Sequence, residues 1–431
     1  MRHRIRFQVC SAVLVLACAA TFGVRRVTTA PAAVVFDIPG RADATPWAAA
    51  SGAFVAVTWG ASSEGKTDVF LAVSRDGGTT FGPPVQVNAI VGEARLGGEL
   101  PPRVTLISRP GASLPEIAVL WTARAAATEI KVARSRDGGK TFTAPVSLQA
   151  AGAPGDRGWP AVTFDHQGIV HAVWLDHREM AAKRTAGASH AGHKAGAEHD
   201  GAAMAQKSGL FYAAFSARPQ ERLLTNGVCY CCKTALAAGP GGTLFAAWRH
   251  VYPGNLRDMA FTMSRDGGRS FSPPARVSED GWAINGCPDD GPAMVVDARG
   301  TAHLVWPTVL DGAAPQGAIF YTSTRDGRRF TQRIRIPTLG GPKPSHPQIV
   351  LDRRGRLFVA WDENLNGRRT AAVRELRFNQ IGAPSFGDAV PLSTDGAALY
   401  PVLAATDKGL LAVWTVSGDP SRVEARLVPM P

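Results

Sequence analysis

A short apolar run that ends in tryptophan occurs seven times along this chain. Each run is five or six residues long and rich in valine, alanine and leucine, which predicts a buried β-strand rather than a helix. The runs end at Trp59, Trp121, Trp174, Trp248, Trp306, Trp361 and Trp414. Most copies follow a polar turn and a second short run, which begins at Pro46, Pro102, Pro160, Pro292, Pro347 or Pro401. Successive tryptophans are 53 to 74 residues apart, which indicates a repeated unit.

A second motif, Ser-Arg-Asp-Gly-Gly, follows several of these strands and predicts a tight turn between two further strands. Glycine readily adopts positive φ and aspartate caps such a turn, so the motif favours a hairpin. The turns are built by Ser74, Asp76, Gly78 and Phe81; by Ser135, Asp137, Gly139 and Phe142; by Ser264, Asp266, Gly268 and Phe271; and, in a shortened copy, by Asp326 and Phe330. Each unit is therefore predicted to contain four short strands, as in the blades of a β-propeller.

These turns resemble the Asp-box (BNR) repeats of the sialidase superfamily. The resemblance implies an all-β fold, a single propeller domain over residues 34–431. It implies fold more than activity, because Asp-boxes are structural and also occur in propellers that are not sialidases. Seven tryptophans predict seven blades, whereas sialidases have six, so a six-bladed ring with one unit outside it is the alternative. The last unit ends after a third strand at 422–428, and residues 34–39 are expected to supply its fourth strand.

The first 30 residues change the meaning of the charge. Arginines at positions 2, 4 and 6 precede an almost wholly apolar run over 7–24, a pattern typical of a secretory signal. We therefore expect an exported protein, either periplasmic, extracellular or tethered to the surface. An uncleaved anchor or a lipid on Cys18 is the alternative, and would be its only contact with a membrane. Without the five arginines of this segment the net charge falls from +12 to +7. Basic and aromatic residues do not cluster, so nucleic-acid binding is not expected.

Residues 176–208 form an insertion after the tryptophan-ending strand of the third unit. The segment is rich in alanine, glycine and histidine, with little to build a core. Its potential metal ligands include His190, His193, His199 and Met204. Imidazole and thioether groups at this density favour metal capture by a loop. The alternative is a solvated insertion in which the histidines have no role.

The cysteines after residue 30 lie in two loops that occupy equivalent positions in adjacent units. Cys229, Cys231 and Cys232 precede the fourth unit and Cys287 precedes the fifth. Loops between blades share one face of a propeller with the loops between second and third strands, called here the near face. An exported protein favours disulfides, and alignment of the units makes Cys229–Cys287 the natural pair. The other interpretations are a thiolate site for copper or zinc, or one bridge beside two thiols that bind metal or act in redox chemistry.

The resemblance to sialidases also implies a set of catalytic residues. Sialidases hold the substrate carboxylate with three arginines, the first in an FRIP-type motif, but the corresponding sequence here is FDIP, with Asp37 in place of arginine. Aspartate lacks the paired donors of guanidinium, which argues against sialidase activity. Near-face candidates for the remaining catalytic roles are Asp289, Asp290, Glu363 and Tyr400. Candidates for substrate binding are Arg178, Arg249 and His250.

The sequence as a whole predicts an exported propeller that binds a thiophilic metal ion on its near face, with copper as the first choice and zinc as the second. Cys229, Cys231, Cys232 and Cys287 would form the inner site. The histidines and the methionine of the insertion would collect the ion. One alternative is a sialidase-like exo-glycoside hydrolase that acts on a glycan at the same face. The other is a propeller that binds a protein partner, with its cysteines paired in disulfides.

Overall fold

Apolar strands joined by glycine-containing turns form seven antiparallel sheets in this protein. The structure is a computed structural model, and it describes residues 33–109, 111–150, 152–181, 201–215, 220–310, 315–393 and 396–428. Each sheet is a blade of four strands in simple sequential order, and the sixth blade carries one extra short strand. The prediction of an all-β propeller with seven blades is confirmed. The segment 1–30, predicted to be a signal or anchor, lies outside the described residues. None of the helices in the described part of the chain is long and apolar enough to cross a membrane.

The strands are assigned to blades as follows. The first four blades contain β2 (Ala42–Ser51), β3 (Phe54–Ser63), β4 (Lys66–Ser74) and β5 (Val85–Gln86); β6 (Arg103–Ile107), β7 (Glu116–Ala123), β8 (Glu129–Ser135) and β9 (Val146–Ser147); β10 (Arg157–Phe164), β11 (Val170–Asp176), β12 (Gly209–Ala214) and β13 (Arg222–Asn226); and β14 (Ala235–Ala238), β15 (Leu244–Arg249), β16 (Met259–Ser264) and β17 (Ala275–Arg276). The last three contain β18 (Ala293–Val296), β19 (Ala302–Leu310), β20 (Gln316–Thr324) and β21 (Ile334–Ile336); β22 (Ser345–Leu351), β23 (Leu357–Leu365), β24 (Arg368–Phe378), β25 (Pro384–Phe386) and β26 (Val390–Pro391); and β27 (Ala398–Ala405), β28 (Leu410–Val416), β29 (Arg422–Val428) and β1 (Val34–Phe36).

Short helices occur only at connections within the described residues. They are α1 (Arg178–Ala181) and α2 (Gly201–Gln206), which lie near the two ends of the insertion in the third blade, and two 3₁₀ turns at Pro240–Gly242 and Pro253–Asn255.

The first strands of the blades contact one another in ring order. Strand β2 contacts β6, β6 contacts β10, and the series continues through β14, β18, β22 and β27 back to β2. These strands therefore surround the axis. The ring closes where β1 pairs with β29, with Val34 opposite Ala425 and Phe36 opposite Val423. The N-terminal strand thus completes the seventh blade, as the sequence predicted.

All seven repeat tryptophans are buried in the apolar layers of the blades. Five of the indole N–H groups donate to a nearby side chain: Trp59 to Asp43, Trp174 to Asp176, Trp248 to His250, Trp306 to Asp280 and Trp361 to Glu363. The indole nitrogens of Trp121 and Trp414 have no hydrogen-bond partner in the part of the chain that the structure describes. The burial of the tryptophan side chain is therefore common to all seven blades, whereas the hydrogen-bond partner of its indole N–H differs from blade to blade.

The predicted Asp-boxes lie at the turns after the third strands of their blades. In the first box the Ser74 hydroxyl donates to Asp76 at 2.7 Å and accepts the N–H of Gly78 at 2.9 Å. The Asp76 carboxylate also accepts the N–H groups of Thr79 and Thr80, and the bonds from Thr80 and Ser74 hold its pKa well below the usual range. The boxes of Asp137 and Asp266 repeat this pattern. These aspartates stabilise turns on the face opposite the near face.

Candidate functional site

The near face carries two groups of chemically active side chains. One is the thiol cluster, defined as Cys229, Cys231, Cys232 and Cys287. The other, around the axis, is the central cluster, which consists of Glu99, Lys233, Asp289, Asp290, His346, Asp362, Arg369 and Tyr400. Both are built from loops that connect one blade to the next and from the adjoining ends of the strands.

The disulfide in the thiol cluster joins Cys231 to Cys287, with 6.2 Å between their Cα atoms. The sequence correctly placed the two cysteine loops together, but its preferred pair, Cys229–Cys287, is wrong. The N–H of Cys229 donates to the carbonyl of Arg249 at 2.9 Å, which holds the Cys229 backbone against the end of β15. Cys229 is therefore fully buried beneath the loop. Cys231 is the residue that the loop turns toward the fifth blade.

Cys229 and Cys232 are free, buried thiols in close contact. Their Sγ atoms lie 3.3 Å apart, and the Sγ atoms of Cys229 and Cys231 lie 3.9 Å apart. The three sulfur atoms of Cys229, Cys231 and Cys232 all lie within 4.8 Å of one another. This spacing is that of ligands that can share one ion. The structure thus brings together all four predicted cysteines, two as thiols and two as a disulfide.

Two buried guanidinium groups lie next to these thiols. Arg257 is fully buried and donates from Nη1 to the sulfur of Cys229 at 3.2 Å, and its Nε donates to the carbonyl of Ile284. Arg249 is also buried and donates to three backbone carbonyls, those of Asp290, Arg257 and Pro307. Within the described residues neither guanidinium forms an ion pair with a carboxylate. A buried cation requires compensation, and the Cys229 sulfur, as a thiolate, is the anion in contact with Arg257.

The two thiols differ in acidity for that reason. Burial acts to raise the pKa of Cys229, but the hydrogen bond from Cys232 and the charges of Arg257 and Arg249 outweigh it and lower that pKa. Burial raises the pKa of Cys232 well above its ordinary value, and its bond to Cys229 acts in the same direction. The pair therefore holds one negative charge, with Cys229 as the thiolate and Cys232 as the proton donor.

The end of the predicted insertion packs onto the thiol cluster. Ala205 of α2 is buried against Cys229 and Val251, and the N–H of Gly201 donates to the Asn285 side chain at 2.9 Å. A Cβ atom at Gly201 would lie 2.9 Å from Nη2 of Arg257, so a larger residue there would require the guanidinium to shift. Met204 lies half-buried on α2, whereas His190, His193 and His199 lie outside the described residues.

Four of the innermost strands are distorted at the edge of the central cluster. Thr45, Trp159, His346 and Tyr400 each have φ between 51° and 55°, and each precedes a proline at a β-bulge. Positive φ is costly for residues with a Cβ atom and is concentrated at functional sites. The bulge turns the residue before the proline away from the regular alternation of the strand. Two of these residues, His346 and Tyr400, belong to the central cluster.

Asp362 organises one side of the central cluster. Its carboxylate accepts from Nδ1 of His346 at 2.9 Å, from Nε of Arg369 at 2.8 Å and from the N–H of Tyr400 at 2.6 Å. Burial acts to lower the pKa of His346, but the charges of Asp362 and Asp290 outweigh it and raise that pKa. The rings of His346 and Tyr400 lie 4.3 Å apart. The result is an imidazole fixed by a carboxylate and lying beside a phenol ring.

The other side of the central cluster holds three more acidic groups and a lysine. Glu99 accepts from Nζ of Lys233 at 2.8 Å and from the N–H of Gly291 at 3.0 Å. Asp289 has a φ of 47°. Although the residue is exposed to solvent, the surrounding protein partly desolvates its carboxyl group. That desolvation and the nearby charge of Glu99 raise the pKa of Asp289 to about 6. Burial and the charges of Asp362 and Asp289 raise the pKa of Tyr400 to about 12.

The structure brings three of the predicted catalytic candidates, Asp289, Asp290 and Tyr400, into the central cluster. The fourth is placed elsewhere, because Glu363 is fully buried and accepts from the indole of Trp361 and from the N–H groups of Leu339 and Gly341. Glu363 therefore holds the loop before the sixth blade in place.

The predicted substrate-binding residues are engaged in structural contacts. Arg178 pairs with Asp176 and Glu221, and Arg249 is bonded to backbone carbonyls as described above. His250 accepts from the indole of Trp248 at 3.3 Å, and burial lowers the pKa of His250 to about 4.

Several residues of both clusters were not predicted from the sequence. They are Arg257 beside the thiols and Glu99, Lys233, His346 and Arg369 at the axis. A signal for His346 existed, since it directly precedes one of the prolines that begin the first strands. Tyr400 stands in the same position of its unit.

Known proteins resemble this chain in fold but not detectably in sequence family. No protein-family model and no curated protein matches the sequence. A PL25 ulvan lyase has a similar fold, with a TM-score of 0.54 and 10% identity over 90% of this chain and 94% of that chain. The NanB sialidase from Streptococcus pneumoniae gives a TM-score of 0.49 at 11% identity over 92% of this chain and 70% of its own. The GH93 α-L-arabinofuranosidase of Fusarium graminearum gives 0.49 at 12% identity over 81% and 98%. The chain thus shares its propeller fold with a polysaccharide lyase.

Proposed function

We propose that the thiol cluster binds a thiophilic metal ion, and that this ion is copper(I). The observation that carries the proposal is the pair of free, buried sulfur atoms of Cys229 and Cys232, 3.3 Å apart. Thiolates select soft ions, and a buried pair excludes the water that harder ions retain. Exchange of the Cys232 proton for a metal ion would leave both sulfurs as ligands.

Charge compensation favours copper(I) over zinc. Two thiolates with one monovalent ion carry a net charge of minus one, which the buried guanidinium of Arg257 balances at 3.2 Å from Cys229. Two thiolates with a divalent ion would be neutral and would leave Arg257 buried without an anion. Structural zinc also requires four ligands, whereas this pair offers two.

The test measures copper(I) bound by purified, metal-free protein in competition with a colorimetric chelator under anaerobic conditions. We expect one equivalent per chain, lost in Cys229→Ser and in Cys232→Ser. Arg249 and Arg257 would remain in both variants, so loss of binding would be due to the sulfur. The matched control is Cys231→Ser combined with Cys287→Ser, which removes the disulfide and keeps both proposed ligands. Absence of bound copper in the unmutated protein would exclude the proposal.

A second candidate function is acid–base chemistry on a glycan at the central cluster. The observation that favours it is Asp289, a carboxyl with a pKa raised to about 6, in the same cluster as Tyr400 and the His346–Asp362 pair. A carboxyl with such a pKa can donate a proton near neutral pH. The propeller fold is shared with a polysaccharide lyase. Strained residues at the axis are consistent with a site held ready for a ligand.

This candidate is tested by release of reducing ends or unsaturated products from a panel of glycosides and acidic polysaccharides. If Asp289 is the proton donor, activity falls as the pH rises above about 6. Asp289→Asn and Tyr400→Phe should then each reduce the rate by about 10²-fold or more. Asp297→Asn, which alters a turn after β18, is the control and should keep the unmutated rate. Unchanged rates in both cluster variants would exclude these roles.

A further inference from the structure

The third sulfur atom within reach of a shared ion is not free in this structure. Sγ of Cys231 lies 3.9 Å from Sγ of Cys229, which is close enough to act as a third ligand. The same atom is bonded to Cys287, and a disulfide sulfur lacks the charge of a thiolate ligand. The disulfide therefore removes one ligand from a set of three.

We propose that the Cys231–Cys287 disulfide is a redox switch that sets whether the thiol cluster offers two or three thiolates to a metal ion. This inference rests on the proposed function, since it concerns the coordination of the same ion. In the oxidised protein Cys229 and Cys232 hold the ion. In the reduced protein Cys231 joins them and the ion is held more tightly.

Reduction would begin at Cys287. Cys287 is half-buried, whereas Cys229, Cys231 and Cys232 are buried, so a reductant meets its sulfur first. A dithiol reductant attacks Sγ of Cys287, and the bond to Cys231 breaks, which releases the Cys231 sulfur as a thiolate. The second thiol of the reductant then displaces Cys287 as a thiol. The dithiol supplies two electrons and becomes a disulfide, and its two protons pass to solvent and to Cys287.

The loop geometry keeps Cys231 in place after the bond breaks. On the N-terminal side of Cys231, the loop is fixed by the bond from the Cys229 N–H to the Arg249 carbonyl. On the C-terminal side, the loop is fixed by the ion pair of Lys233 with Glu99 and by the bond from the Thr234 hydroxyl to the Trp159 carbonyl at 2.9 Å. Cys231 is thus held between two anchored neighbours. Its backbone is therefore held near Cys229 by contacts other than the disulfide.

The switch is distinguished from a purely structural disulfide by a matched pair of variants. Cys287→Ser leaves Cys231 as a permanent free thiol. The combination of Cys287→Ser with Cys231→Ser lacks the same disulfide but also lacks the third sulfur. Any effect of losing the bridge itself is common to both, so the difference between them reports the Cys231 thiolate alone.

The experiment measures copper(I) affinity by chelator competition and the number of sulfur neighbours by X-ray absorption. We expect two sulfur neighbours in the oxidised unmutated protein and in the double variant. In the dithiol-reduced unmutated protein and in C287S we expect three, with affinity higher by about tenfold or more. Reduction of the unmutated protein, followed by removal of the dithiol, decides the matter if C287S does not fold.

The outcomes separate the two proposals. If the oxidised and reduced proteins both bind copper(I) with two sulfur neighbours and equal affinity, the switch is excluded and the proposed function stands. If neither form binds copper(I), the proposed function itself fails. If the disulfide resists every dithiol under native conditions, the bridge is structural and the switch is excluded as well.

Discussion

The positive charge of Arg257 lowers the pKa of a single thiol, that of Cys229. Its guanidinium is fully buried, contacts the sulfur of Cys229 and has no carboxylate partner within the described residues. Substitution with methionine keeps most of the volume and removes the charge. We expect the pKa of Cys229 to rise in Arg257→Met, because burial would then act with less opposition.

A pH titration of thiolate ultraviolet absorbance on the metal-free, oxidised protein tests this prediction. The unmutated protein should develop the absorbance of one thiolate below the ordinary pKa of a cysteine, and Arg257→Met should develop it at higher pH. Arg41→Met, which removes a guanidinium paired with Asp68 in the first blade, is the control and should titrate like the unmutated protein. Identical titrations of all three proteins would contradict the assigned role.

The lowered pKa of His250 predicts how the free energy of unfolding depends on pH. Burial lowers its pKa to about 4 in the folded protein, whereas the unfolded chain has the ordinary value of about 6.5. As the pH falls from 6.5 to 4, the unfolded state takes up a proton and the folded state does not. Stability is therefore lost over this range as the pH falls, by roughly 3 kcal/mol.

Denaturant unfolding of the unmutated protein and of His250→Asn at several pH values between 4 and 7 checks this contribution. Asparagine retains an oxygen that can accept from the indole of Trp248 but does not titrate. We expect the variant to have a shallower pH dependence. Equal slopes in the two proteins would show that His250 does not contribute.

At the residue scale, the sequence predicted which cysteines meet but not how they pair. The alignment of units correctly placed the loops of Cys229 and Cys287 side by side. It could not show that the Cys229 backbone is bonded to the end of β15, which turns its sulfur inward. Nor could it show that Arg249 and Arg257 are buried, because arginine side chains are mostly exposed in folded proteins.

At the scale of the element, the tryptophan-ending strand provides an internal comparison. The indole of Trp59 donates to the buried carboxylate of Asp43 at 2.7 Å, whereas the indole nitrogen of Trp121 is buried without a partner in the described structure. Both side chains are fully buried at the same position of the repeat. Replacement with phenylalanine removes a similar volume from each.

We expect Trp59→Phe to reduce the free energy of unfolding by about 1–3 kcal/mol more than Trp121→Phe. The extra loss arises because Asp43 keeps its burial but loses a hydrogen-bond donor. Urea unfolding of the two variants at pH 8, where the carboxyl is ionised, gives the difference directly. A larger loss in Trp121→Phe would show that packing differences outweigh the indole–carboxylate bond.

The sequence predicted the strands of the blades but not the β-bulges within the first strands. Apolar runs and Asp-box turns were sufficient to predict four strands per blade. The prolines marked the beginnings of the first strands, but a proline alone does not reveal that the residue before it has positive φ. That conformation requires the tertiary structure to hold it. His346 was therefore missed as a member of the central cluster, while Tyr400 was chosen only because the resemblance to sialidases implies a tyrosine.

At the scale of the whole molecule, closure of the ring depends on three residues of β1. Phe36 is buried at 4% exposure and packs against Trp59 and Phe81, with ring centroids 5.2 Å and 4.9 Å away. The adjacent Val35 is 48% exposed on the same strand. The pair allows the contribution of packing to be separated from that of strand pairing.

We expect Phe36→Ala to lower the free energy of unfolding by about 3–5 kcal/mol. Val35→Ala, the matched control, should change it by less than about 0.5 kcal/mol. Chemical denaturation followed by tryptophan fluorescence measures both. A small effect of Phe36→Ala would indicate that the seventh blade is stable without its closing strand.

The closing strand also covers one sheet edge, that of β29 in the seventh blade. The outer side of β29 is paired along Val423–Ala425 by β1. Whenever β1 detaches, those backbone groups lose their partners and become a template onto which another chain can add a strand. Because β1 and β29 lie at opposite ends of the described chain, this edge also stays open during folding until β1 has paired with β29. A three-residue strand thereby shields part of the seven-residue strand β29 from pairing with another molecule.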